Sequence, residues 1–399
     1  MNQPPLASLK ILDFSTLLPG PFASMFLADL GADVLRIEAP NRPDLMRLTP
    51  PFDGEHSAWH SLLNRSKRSL ALDLKHPAAA NIVKQLVQEY DIVLEQFRPG
   101  VMDRLGVGYT VLQAANPRLI YCAITAYGQT GPYRERAAHD INALALAGLM
   151  AHTGRQADGP LPLGVQVADV GSSFLAITGL LAAVIQRTQT GIGQLVDISL
   201  FDTALSWNAL AASQALVGDD EPTRETMLLN GGTYYDFYRT SDERYLSVGS
   251  LEPKFWTGFC QAIGRPELIK AGLTAKPNTQ QALKEAIQAT IATRSLAEWM
   301  RIFDQADVCV EPVLSVMEAV THPQTLARQM IVEVLKPDGT TQRQTGAPIK
   351  FSASQPVYQH IGATLGEHTD EIIKALGYTA SELAALHQSG LFGQSERGD

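Results

Sequence analysis

Residues 10–38 read KILDFSTLLPGPFASMFLADLGADVLRIE. Lys10-Ile11-Leu12-Asp13-Phe14 has the character of a strand, and Pro19-Gly20-Pro21 breaks it. Phe22 to Leu30 then carries apolar residues at helical spacing and stops at Gly31, a natural helix C-terminus. Asp33-Val34-Leu35-Arg36-Ile37-Glu38 is a second strand. A strand–helix–strand unit of this length predicts two parallel neighbours joined by a crossover helix.

The same alternation continues outward. Ser69 to Leu74 reads as a strand, and Pro77 to Tyr90 as a helix with proline near its start. Asp91 to Glu95 and Leu119 to Ile124 read as further short strands. These repeats predict an α/β fold, a parallel sheet with helices on both faces. Asp169 to Arg187 reads as a turn running into a long apolar helix, and Gly191-Ile192-Gly193-Gln194 turns into a strand at Leu195 to Ile198. Phe201 to Leu216 is helical, and a polar linker comes next at Gly218-Asp219-Asp220-Glu221-Pro222. The Tyr-rich stretch 231–248 alternates as a hairpin would, and 255–306 is largely helical. At 399 residues, two domains are expected. The divisions are a large domain over 1–224, a smaller α+β domain over 225–330 and a C-terminal segment over 331–399. That segment holds another polar stretch, Lys336 to Gln344, and a last helix, Thr369 to Gly377.

Hydrophobic residues are 45% and charged residues 18% of the chain, a globular composition. With 41 acids against 32 bases the net charge is -9, which argues against a general nucleic-acid surface. Cys122, Cys260 and Cys309 are scattered and odd in number, which suits a reducing, cytoplasmic setting and no structural disulfides or zinc cluster. Met1 to Pro5 does not open a signal peptide. The longest apolar run, Phe174 to Ile185, is short for a bilayer and reads as a buried helix, so no membrane partner is expected.

Four places carry residues suited to chemistry. Asp169 lies where the apolar helix begins. An acid there is an ordinary cap, or a carboxylate beside free N–H groups that could hold an oxyanion or enolate. His139, in Ala138-His139-Asp140-Ile141-Asn142, is either structural or a proton carrier near neutral pH. Glu252 precedes Pro253 at another helix start. Arg36, Arg65, Lys67, Arg68 and Arg98 are cations near strand ends, where doubly wound sheets gather ligands and phosphates could be held. His56 and His60 have the spacing of two ligands on a helix, but no Glu follows His56 as a metalloprotease would need.

These stretches, in order, resemble the class III CoA-transferases, a family that includes carnitine and formyl CoA-transferases and the α-methylacyl-CoA racemases. The resemblance runs through Pro19-Gly20-Pro21, Leu30-Gly31-Ala32-Asp33-Val34, and Asn64-Arg65-Ser66-Lys67-Arg68-Ser69-Leu70 with Leu72-Asp73-Leu74-Lys75. It continues through Phe97-Arg98-Pro99-Gly100, Tyr127-Gly128-Gln129-Thr130-Gly131-Pro132 and Thr190-Gly191-Ile192-Gly193-Gln194 to Gly366-Glu367-His368-Thr369. It implies a Rossmann-like large domain completed by the C-terminal segment, a small domain between, and a homodimer of interlocked chains. It also implies a site for the coenzyme A of an acyl-CoA substrate, with Arg36, Asn64, Lys67, Arg68, Leu72, Arg98 and Tyr127 as candidate contacts. No other cofactor and no metal are implied.

Within that resemblance the catalytic Asp falls on Asp169. The His segment is similar to that of the racemases, with His139 on the catalytic position and Glu252 on the Glu that hydrogen-bonds it. Asn230-Gly231-Gly232-Thr233-Tyr234-Tyr235 and Asp307-Val308-Cys309-Val310-Glu311-Pro312 also look racemase-like. The chain departs at Ala143, where racemases usually carry Tyr, and at Val170-Gly171-Ser172-Ser173, where they favour an aromatic residue and glycines. The favoured expectation is racemisation of a 2-methylacyl-CoA, with Asp169 and His139 exchanging the α-proton. The alternative is CoA transfer between carboxylic acids through an aspartyl intermediate on Asp169. A third is a CoA-binding protein without turnover.

Overall fold

The computed structural model describes residues 3–218, 220–272 and 276–393. The chain forms two units. One comprises Met1–Leu144, Val165–Ser206 and Gln324–Asp399, and the other comprises Ala145–Gly164 and Trp207–Pro323.

The first unit is built on six parallel strands: β1 (Lys10–Asp13), β2 (Asp33–Glu38), β3 (Lys67–Ala71), β4 (Ile92–Glu95), β5 (Ile120–Thr125) and β6 (Leu195–Ser199). Their order is β3-β2-β1-β4-β5-β6. The chain steps outward from β1 on one side and then restarts at β4 on the other, which places a topological switch point between β1 and β4. Helix α1 (Pro19–Asp29) joins β1 to β2, and α2 (Ala79–Leu86) joins β3 to β4. The expected parallel α/β sheet is therefore present. Strand β3 starts two residues earlier than Ser69, and α2 is shorter than the Pro77–Tyr90 pattern.

Residues paired across a parallel ladder share a face. Leu12, Leu35 and Val93 fall on one face, where they join a core with Ala79, Ile82, Val83 and Leu86 of α2 and with Ile372 and Ile373 of helix Thr369–Ala375. Asp13, Arg36 and Ser69 fall on the other, with Glu38 and Lys67. That face is buried too, so its charges need partners. Lys67 Nζ lies 3.4 Å from Asp13 Oδ2 and 3.0 Å from Asn64 Oδ1, Arg36 pairs with Asp44, and Arg47 grips Glu38 through two bonds of 2.6 and 2.9 Å. His60 joins this cluster, 3.1 Å from Arg36. Burial and the neighbouring Arg47, Arg36 and Lys67 push its proton affinity far below the usual range, so it is a neutral structural group.

Two further helices matter for the site: α3 (Asp140–Leu146) and α4 (Val167–Thr190). At 24 residues and mean hydropathy 1.8, α4 is long and apolar enough to cross a bilayer by length and composition, unlike the shorter run Phe174 to Ile185. In this fold Ala168, Gly171, Ser172, Ser173, Ala176, Leu180 and Ala183 are buried. Phe174 packs on Phe22 and Phe26 of α1, with ring centroids 5.9 and 5.3 Å apart.

The second unit has a three-stranded antiparallel sheet, Asp236–Arg239, Tyr245–Val248 and Val310–Pro312. The first two strands are the expected hairpin. Trp256, Phe259, Trp299 and Phe303, from helices Pro253–Ala262 and Leu296–Phe303, pack against it. The division differs from the expected 1–224, 225–330 and 331–399. Residues 145–164 belong here because Arg155 bonds Asp236 at 2.6 and 2.8 Å and Glu225 at 2.9 Å, while Arg224 donates to Met150 O and Thr153 O. The helical stretch 201–216 is two helices, Leu200–Trp207 and Ala209–Val217, and Asp219 of the expected linker lies outside the described residues.

The C-terminal segment holds a hairpin, Ile331–Leu335 with Thr341–Thr345, where the sequence suggests only a polar stretch. Arg65 fastens it to α1. Its guanidinium makes bonds of 2.8 and 2.6 Å to Asp29, one of 3.2 Å to Gln344 and one of 2.6 Å to Thr345 O, at 1% exposure. Replacing Arg65 with Ala strands the buried Asp29 carboxylate and should cost about 3–5 kcal/mol in urea denaturation. The loss should be larger at pH 8 than at pH 5, because burial already raises the Asp29 proton affinity and a neutral Asp29 needs no partner. A loss below about 1 kcal/mol, as for exposed pairs, would contradict this role.

Candidate active site

Strands β4 and β5 end at Glu95 and Thr125, and the loops that leave them wall a cavity of about 400 Å³. Gln96, Arg98, Arg134, Arg136, His139 and Asn142 are among its lining residues. The cavity therefore opens at the carboxyl ends of the strands, beside the switch point, where doubly wound sheets bind ligands. Gln96 ties the two loops at that point together. Its Nε2 donates to Thr16 O at 2.5 Å, and its Oε1 accepts from Gly20 N at 3.1 Å. Gly20 is required there, because a Cβ would lie 2.1 Å from Ser15 Cβ.

No carboxylate is among the lining residues, and Arg98 has no ion pair among the described residues. Arg136 stacks on the Tyr133 ring at 3.7 Å, and among the described residues the one ion pair of Arg134 is with the exposed Glu135 at 4.0 Å. Three guanidiniums without strong partners make this a wall for an anionic ligand.

Asp169 is the third residue of α4, in its first turn. It is not the cap. Gln166 occupies that position without a side-chain bond, and the acceptor comes from α3 instead. Asp140 Oδ1 takes the N–H of Ala168 at 2.7 Å and of Asp169 at 3.2 Å, while Val170 N donates to Gln166 O at 2.9 Å. The expectation of free N–H groups for an enolate beside Asp169 is thereby corrected, since two of them are already satisfied by Asp140. No donor to the Asp169 carboxylate is present among the described residues. Burial, and then the neighbouring Asp140 charge, push its pKa up to about 7. Its carbonyl accepts from Ser172 Oγ at 2.8 Å and Ser173 Oγ at 2.9 Å, and Ser173 Oγ also lies 2.7 Å from Pro19 O. These serines stand where the sequence departs from the glycine run, and they fasten the Asp169 turn to the start of α1.

His139 lies on the cavity wall, and its N–H donates to Asn142 Oδ1 at 3.0 Å. It immediately precedes Asp140, so the Asp140 bonds connect the cavity wall to the Asp169 turn. Asp169 is not itself among the lining residues.

The other candidates are placed differently. Of the seven residues expected to contact coenzyme A, Arg98 alone is among the cavity's lining. Arg36, Asn64 and Lys67 are buried in the charge cluster, and burial pulls the Lys67 pKa down to about 8 despite Asp13. Arg68 emerges near the amino end of its strand and pairs with Asp33 at 2.8 Å. Leu72 is wholly buried in the hydrophobic core, and its N–H donates to Glu38 O at 2.8 Å. Tyr127 packs edge-on against Tyr133. Glu252, in the second unit, is the exposed N-cap residue of helix Pro253–Ala262. Sequence reasoning passes over Gln96, Arg134, Arg136 and the role of Asp140. The Arg134-Glu135-Arg136 triplet reads as an ordinary solvated turn, and nothing local separates Asp140 from a first-turn acid.

The model of CoA-transferase family III matches residues 6–369. The human protein "Alpha-methylacyl-CoA racemase" is 34% identical over 394 residues, covering 96% of each chain. The human "Succinyl-CoA:glutarate CoA-transferase" is 30% identical over 402 residues, covering 99% of this chain and 91% of its own. The crystal structure of a CAIB/BAIF family protein from Brucella suis superposes with a TM-score of 0.80 at 30% identity, covering 94% of this chain and 100% of that one. Matches of this length, to racemases and transferases alike, mean that the chain belongs to CoA-transferase family III, a family of enzymes that act on acyl-CoA thioesters.

Proposed function

We propose that the protein is an α-methylacyl-CoA racemase or epimerase, moving a proton at the carbon next to the thioester carbonyl. The observation that carries this reading is the Asp169 carboxyl, half-buried and raised to about 7, fastened through Asp140 to a cavity wall that bears His139. A proton carrier works best when its pKa lies near the working pH. An ordinary aspartate would be too weak a base. The thioester acidifies the α-carbon. One of the two groups removes the proton, the other returns one to the opposite face, and the roles exchange for the other enantiomer. Coenzyme A enters as part of the substrate, with its phosphates against Arg98, Arg134 and Arg136, and the proposal calls for no further cofactor.

A second reading is favoured by the transferase relatives and by the Asp169 carboxylate, which is left free of donors among the described residues. In it, Asp169 attacks the thioester carbonyl, the CoA thiolate leaves, and CoA is passed to another carboxylic acid.

Asp169→Asn removes base and nucleophile together. Activity should fall at least about 10²-fold, measured as deuterium entry at the α-carbon of a 2-methylacyl-CoA in deuterated water, and as transfer to an added acid. Full activity in both assays would refute both readings, and CoA affinity without either activity would favour a binding protein. Stability should respond with a definite sign. The folded pKa lies above the unfolded one near 3.8, so the wild type loses stability as pH rises from about 4 to 7. The variant, spared that loss, should melt above the wild type at pH 8, and the gap should close below about pH 4.

His139→Ala separates the two readings. It should abolish α-proton exchange in a racemase while leaving much of the turnover of a transferase. Arg98→Ala should weaken free CoA binding by about 1.5–3 kcal/mol in calorimetry, and an unchanged affinity would rule out its phosphate role.

We also propose the interlocked homodimer that the family resemblance implies. Its subunits should separate only on unfolding, so sedimentation at nanomolar concentration should find no native, active monomer.

A further inference from the structure

Asp140 takes no part in the proton transfer proposed above, yet among the described residues it is the one side chain from another element that bonds the Asp169 turn. It is 8% exposed and opens α3, directly after His139. Its Oδ1 holds the N–H of Ala168 and of Asp169 itself, at 2.7 and 3.2 Å. We propose that Asp140 is the positioning residue of the proton-transfer site: one carboxylate locks the Asp169 turn to the backbone that carries His139, and its charge faces the Asp169 carboxyl. The inference rests on the proton-transfer reading above.

That geometry has two consequences. The first is registration. Proton carriers on opposite sides of one carbon must keep their separation, and a misplacement of about 1 Å can cost about 10²-fold in rate. His139 and Asp169 sit on different elements, thirty positions apart in the chain, and α4 has no cap of its own to fix where its first turn begins. Asp140 supplies that cap from the His139 side. The second is electrostatic. Among the described residues Asp140 is the one charged group acting on Asp169, and it disfavours the ionised form of that carboxyl. Among the described residues the titratable group facing the Asp140 carboxylate is Asp169, across the two backbone bonds. Arg98, Arg134 and Arg136 line the cavity of which His139 forms part.

Asp140→Asn separates the two consequences, because the amide oxygen can still accept both N–H groups while the charge is lost. Its α-proton exchange should keep a near-normal rate at its optimum, and the acidic limb of the pH–rate profile should move to lower pH by roughly one unit. Asp140→Glu keeps the charge and displaces the acceptor. Its acidic limb should stay in place while the rate drops at least about 10-fold. A purely structural cap would lower the melting temperature of Asp140→Glu and leave the limb of both variants in place. An Asp140→Asn profile superimposable on the wild type, measured where Asp169→Asn is inactive, would overturn the inference and leave the proton-transfer reading standing. Should Asp140→Asn fail to fold, Asp140→Glu decides the matter: a rate at least about 10-fold lower with the acidic limb in place supports the inference, and an unchanged rate overturns it.

Discussion

A parallel sheet buries both of its faces, and in this protein one of those faces carries charge. Asp13, Arg36, Glu38 and Lys67 all point to the side covered by α1, with exposures of 0 to 5%. Removing single charges from water costs many kcal/mol, so the region is stable only because each is neutralised at short range. The partners come from outside the sheet: Asp44 and Arg47 from the segment after β2, Asn64 from the turn before β3, Ser15 from the β1–α1 connection and Ser24 from within α1. The cluster thereby fixes the connections that leave β1 and enter β3. Among these is the Ser15–Leu18 loop, where Asp44 accepts from Leu17 N at 3.0 Å and Leu17 takes a left-handed φ of 62°. A non-glycine residue held in that region is strained and persists only when its surroundings over-determine it.

The sheet is legible in the sequence because short strand patterns alternate with helical ones and are punctuated by Gly and Pro, which is what a parallel α/β sheet demands. The hairpin at Ile331–Leu335 and Thr341–Thr345 is not. Its inward residues, Gln342 and Gln344, are polar, so the alternation that marks a strand is hidden in Thr341-Gln342-Arg343-Gln344-Thr345. They are satisfied by each other, by Asp53 and by Arg65, partners that lie nearly three hundred positions away. The small unit's borders are hidden for a similar reason. Residues 145–164 are held there by Arg155 and Arg224, and a long-range ion pair leaves no periodic trace.

At the site, the residue types are legible and their wiring is not. Asp169 and His139 stand out from the helix start and the family landmarks, and they lie on adjoining structure. The cations expected to hold phosphates are dispersed in the fold, and Arg98 alone of them lines the cavity at the strand ends. Proximity to a strand in sequence does not say which end or which face a side chain takes. Arg36 and Lys67 are structural charges inside the fold, and Arg68 lies near the amino end of β3. The cations at the carboxyl ends, Arg134 and Arg136, sit in a loop with no strand pattern of its own. The N–H groups of α4 look free in the sequence because its cap lies 28 positions away rather than in the preceding residue.

The large unit is assembled from three separated stretches of chain, and its last stretch closes bonds with its first. Val357 N reaches Asp29 O, Ser66 N reaches His360 O, His368 N reaches Ser69 O and Asp73 N reaches Leu391 O, each within 3.0 Å. During synthesis from the N-terminus, β1 to β5 emerge long before these partners exist. Strand β6 comes only after residues 145–164 have been made, and the small unit's remaining sequence precedes the closing segment. The small unit, whose core lies mainly within residues 234–310, can therefore pack as a local event while Arg65 and the open edge of β3 wait for their partners. Contacts of such long sequence separation form late and slowly, and the half-built sheet is exposed in the meantime. The nascent chain thus has its most vulnerable period on the ribosome, and the closing segment of the fold acts as the latch that ends it.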